Sequence, residues 1–108
     1  MNIVLKKFLK TTLLVSPQKA EKVRTVLINT LKKGKEISLD FSEINTVSLS
    51  FLYFLFRDMD KELTKVSKEL VKIKNPTTFL MEEIQYLKDN YTELSNKFKK
   101  YEIDYLLV

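Results

Sequence analysis

The chain has 108 residues, 44% hydrophobic and 31% charged, with a formal net charge of +5, enough for one domain with a real core and too few for two. It holds no His, Cys or Trp and a single glycine. Zinc sites, thiol catalysis, histidine acid–base pairs, disulfides and glycine-rich phosphate loops therefore have no residues to be built from.

The acidic residues are scattered through helix-like charge patterns, with no Asp-rich loop carrying its glycine, so neither a metal nor a cofactor is expected and no paired acids mark an enzyme. The charge is unevenly spread. Residues 1–35 hold nine Lys/Arg against Glu21 alone, whereas 36–75 hold six against seven and 76–108 four against six.

In chain order, residues 2–9, NIVLKKFL, and 11–15, TTLLV, are short apolar or alternating runs separated by Lys10, and they predict a pair of strands. Lys6, Lys7 and Lys10 interrupt this N-terminus, which fits neither a signal peptide nor a spanning helix; a soluble cytoplasmic protein is the expectation. Ser16-Pro17 is a helix start, since Ser accepts a backbone N–H as N-cap and Pro loses no needed donor at the first helical position. Ala20, Val23, Leu27 and Leu31 then recur at helical spacing before Gly34, predicting a helix over 17–33.

Residues 36–41, EISLDF, alternate as a strand with one apolar face, and the polar 42–46 predicts a loop. A helix is expected from Ser48 or Ser50 to Val66, on the stripe Leu52, Leu55, Met59, Leu63 and Val66. LVKIK at 70–74 reads as a short strand, and Asn75-Pro76 repeats the cap-plus-proline signal before a helix near 77–89. Leu94, Phe98 and Tyr101 predict one more helix, while IDYLLV at 103–108 either continues it or forms a last strand. The expectation is a single α/β domain over 1–108, a mixed central sheet of about four strands covered by three to four helices.

Three features bear on function. The run FLYFLF at 51–56 is broader than one sheet face needs, so beyond serving as core it predicts cover from a second copy, as a homodimer, or from a partner helix. The basic third, with Lys19, Lys22 and Arg24 on the first long helix, is a candidate contact for phosphates or an acidic partner. A nucleic-acid-associated protein is the alternative reading, but no recognition-helix motif, glycine-bearing RNA signature or aromatic stacking platform accompanies those lysines. Finally, Ser48 and Ser50 stand where a loop enters a helix, as plain N-caps or as an exposed edge for binding, with Asp40 and Ser42 tying the loop through local bonds.

The segment Leu39-Asp40-Phe41-Ser42, the short loop after it, and Val47-Ser48-Leu49-Ser50-Phe51-Leu52 resemble the STAS domain pattern of anti-sigma-factor antagonists. They are closer still to the STAS-like family of unknown function, some members of which neighbour a histidine-kinase-type ATPase domain. The likeness is strongest over 16–56. It implies a STAS-like fold and a non-enzymatic regulatory module, bacterial or phage, that switches partners by binding an ATPase/serine-kinase-like regulator. By position it implies Ser50 as the phosphorylated serine, with Ser48 beside it and Asp40, Ser42, Ser48, Ser50 and Phe51 at the partner-binding edge. Three positions depart from the antagonist pattern: Ser48 replaces an acid, Leu49 the first serine and Phe51 a glycine.

Overall fold

The computed structural model describes residues 1–100; the expected strand or helix at 103–108 lies outside them. The elements are β1 (Asn2–Val4), α1 (Leu5–Leu9), β2 (Leu13–Leu14), α2 (Pro17–Lys32), β3 (Ile37–Asp40), β4 (Thr46–Val47), α3 (Leu49–Phe56), α4 (Met59–Glu62), α5 (Lys65–Lys68), β5 (Val71–Lys74), α6 (Thr78–Asp89) and α7 (Tyr91–Lys99). The α/β class is as expected, but the single mixed sheet is not. Among the described residues the strands form a three-stranded sheet in the order β1-β3-β5 and a separate pair, β2-β4, every pairing being parallel.

The register Ile3↔Leu39, Ile37↔Val71 and Leu39↔Ile73 puts these apolar residues on one face. Ser38, Asp40, Lys72 and Lys74 occupy the other. Ile3, Ile37 and Leu39 are buried in the core, which α2 and α3 build by packing on each other, with α6 and α7 against α3.

The expected pair of strands over 2–9 and 11–15 is corrected in part: strands form at Asn2–Val4 and Leu13–Leu14, but they do not pair with each other and the first is shorter than expected. Residues 5–9 are a helical turn that buries Leu5 and Leu9, four apart, and it closes on Lys10 in the left-handed region (φ 56°). Two short strands thus enter different sheets. The long helix expected to reach Val66 is also broken: Arg57 is extended (ψ 147°) and Asp58 left-handed (φ 57°), leaving α4 and α5 as short turns. The Tyr91 hydroxyl accepts from the Asp58 amide at 2.9 Å, and the Arg57 guanidinium reaches Glu21 on α2 at 3.2 Å. Contacts from distant elements hold this break.

Part of the cover expected over the aromatic run comes from the chain itself. Phe51, Leu52, Tyr53, Phe54 and Leu55 are all buried, Tyr53 lying against Tyr91 at 5.8 Å and Phe98 at 5.3 Å between ring centroids. Both of these rings belong to α7, so that part of the cover is the chain's own. Among the described residues no helix is long and apolar enough to cross a membrane.

Candidate functional site

Asp40, Ser48 and Asn75 lie at or just past the carboxyl ends of β3, β4 and β5, and in open α/β sheets it is the carboxyl ends of the strands that carry binding groups. Asp40, half-buried, accepts from the Ser42 amide at 2.9 Å and from the Ser42 hydroxyl. A third donor is the Asn75 amide, 2.9 Å from the same carboxylate oxygen, which also donates to Ser42 Oγ at 2.8 Å. These donors hold the Asp40 carboxyl below its ordinary value near 3.8, the Asn75 bond contributing most, then Ser42 through side chain and backbone, with Lys74 adding a favourable charge. Two strand ends are thereby tied to one oxygen.

Asn75 is a residue that sequence reasoning assigned to another job. The cap-plus-proline reading makes it the start of a helix, yet the capping side chain is Thr77, which accepts from the Leu80 amide at 3.0 Å. Asn75 instead adopts φ 53°, a conformation Asn tolerates better than most residues, and turns its amide back across the sheet. The available signal was Asn before Pro, a pair that favours a turn over a helix.

The serine pair divides its work. Ser48 is the N-cap of α3, its Oγ accepting from the Phe51 amide at 3.1 Å. Ser50 lies within the first turn, and its hydroxyl meets Ser48 Oγ at 3.1 Å. Both are half-buried. Among the described residues no hydrogen bond joins this pair to Asp40 or Ser42.

Two expected contacts are corrected. The side chain of Phe51 is fully buried in the core, so at the partner-binding edge it offers only its amide, already used by Ser48. Arg24 is buried too: its Nε donates to the Arg57 carbonyl at 3.1 Å and its guanidinium lies 3.9 Å from Glu21. Because the Arg57 carbonyl sits at the broken end of α3, Arg24 braces that break and is not open to phosphate. Lys19 reaches the Leu9 carbonyl at 3.4 Å, and Lys22 alone of the three is exposed. The basic third is further thinned by Lys6 with Glu43 at 3.3 Å and Lys32 with Glu62 at 2.9 Å.

No curated protein and no solved structure matches the chain significantly. A family model described as a STAS-like domain of unknown function matches residues 19–78, a span that runs from α2 to the first residue of α6 and contains Asp40, Ser42, Ser48, Ser50 and Asn75. It covers more than half of the chain, which therefore belongs to this STAS-like family.

Proposed function

We propose that the protein is a non-enzymatic regulatory interaction module that binds a protein partner through the edge carrying Asp40, Ser42, Ser48 and Ser50, and that phosphorylation of Ser50 switches this binding off. The observation that carries the reading is the division between the serines. Ser48 fills the capping role, so the hydroxyl of Ser50 is not needed to satisfy an orphan amide. A phosphate on Ser50 would bring close to two negative charges. The first turn of α3 holds no acidic residue to oppose them, and the helix dipole favours an anion there. A partner docked on that turn would meet the new charge directly.

Membership of the STAS-like family fits an interaction module, and the resemblance to anti-sigma-factor antagonists is what suggests the switch and the partner class, an ATPase/serine-kinase-like regulator. The test is to purify the protein from its native cell under phosphatase inhibition, identify what co-purifies, and locate any phosphate by mass spectrometry. Ser50→Asp is then expected to lose that partner while Ser50→Ala keeps it, both retaining the wild-type circular dichroism. Equal retention by Ser50→Asp would remove the switch. Loss by both variants would make Ser50 an ordinary contact.

A further inference from the structure

A second surface begins beside the Asp40 end of the serine edge, on the strand that pairs with β3. Between β5, α6 and the α4–α5 segment runs a cleft of about 640 Å³, lined by apolar residues that include Val71, Ile73, Ile84 and Leu87 and by charged ones of both signs, Asp60 and Lys88 among them, well within the size range of binding clefts. Val71 and Ile73 are only half-buried, although strands of a parallel sheet are ordinarily covered on both faces. Among the described residues β5 pairs with β3 alone. The carbonyls of Leu70 and Lys74 accept from β3-side amides, and the alternation of a parallel ladder therefore turns the backbone groups of Val71 and Ile73 to the outer edge.

Lys72 and Lys74 project from the opposite face, both exposed. Lys74 stands in register with Asp40 and Lys72 with Ser38. Neither lysine is in an ion pair among the described residues. The strand thus shows an incoming chain apolar side chains on one face and cations on the other.

We infer that the free edge of β5 takes an added strand from a partner protein, an extended segment in which apolar and acidic residues alternate. Its main chain bonds to Val71 and Ile73, its apolar side chains enter the cleft, and its carboxylates lie beside Lys72 and Lys74, an opposite-charge pairing across neighbouring strands. The chain's own sequence YEIDY at 101–105 alternates in the same way, so it is the rival occupant that an experiment must separate.

The probe is a fluorescein-labelled octapeptide alternating Ile with Glu, titrated with the full chain by fluorescence polarisation. Saturable binding is expected, weakened about tenfold or more by Lys72→Glu with Lys74→Glu and by N-methylation of alternate peptide amides. Because Lys74 stands in register with Asp40, Lys72→Gln with Lys74→Gln, which adds no like charge there, is measured beside the first double variant, and both double variants are checked for the wild-type circular dichroism. Absence of saturable binding, or equal affinity across variants and peptides, overturns the proposal. Binding that appears only when Ile103 and Tyr105 are changed to Asp also overturns it, since the chain's own residues would then hold the edge.

Discussion

The Asp40 carboxylate has the most charge-sensitive surroundings of the candidate site. Its folded-state pKa lies below the ordinary value near 3.8, so its stabilising contribution is complete above that value and is lost as pH falls through the lower folded one. Urea midpoints measured from neutral to acid pH are expected to drop less steeply below about pH 4 for Asp40→Asn than for the wild type. A slope identical in both proteins would mean that Asn75 and Ser42 do not favour the charged form. The serines separate by a different measurement. Ser48→Ala removes the cap and is expected to cost about 1 kcal/mol, whereas Ser50→Ala should stay within about 0.5 kcal/mol. The pairing of Asp40 with Ser42 was legible in the sequence because it is local. The part played by Asn75 was not, because it is 35 residues from Asp40 and meets it only through the register of β3 with β5.

At the scale of elements, the readings that succeeded had strong punctuation. Ser16 caps α2, accepting from the Lys19 amide at 3.3 Å, and Gly34 closes the following turn at φ 73°. The readings that failed had none. Residues 5–9 are too few to display a helical period against the flanking apolar residues, and nothing in RDMD at 57–60 announces a break, since Asp58 takes a left-handed conformation without glycine. That break is held by a hydroxyl on α7. Tyr91→Phe should leave the Asp58 amide without its partner and lower unfolding free energy by about 1 kcal/mol. Chemical denaturation with the ring contacts monitored by tyrosine fluorescence would check it, and an unchanged midpoint would show that Arg57 and Glu21 hold the turn unaided.

For the whole molecule, the core is continuous from the sheet through α2 and α3 to α7, and Phe51 lies fully buried within it. Phe51→Ala is expected to destabilise by about 3–5 kcal/mol in equilibrium unfolding. A loss under about 1 kcal/mol would mean that the site collapses around the missing ring, against the usual behaviour of close-packed interiors. The α/β class was legible because apolar alternation and helical stripes follow one another along the chain. The division into two sheets was not, since no local pattern tells a short strand which partner it will find.

That division has a kinetic side. Every ladder among the described residues joins segments far apart in sequence, Asn2 to Ser38, Leu13 to Thr46 and Ile37 to Val71, and none of these can close as a hairpin. While the chain is being synthesised, β1 must wait for β3, and β3 must wait again for β5. Only α2, the one long stretch of local order completed before β3 emerges, can form early. Assembly of the three-stranded sheet is therefore a late and slow event, limited by loop closure. The apolar run at 51–56 packs against α2, α6 and α7, and until the last two of these have been made it stands exposed to aggregation.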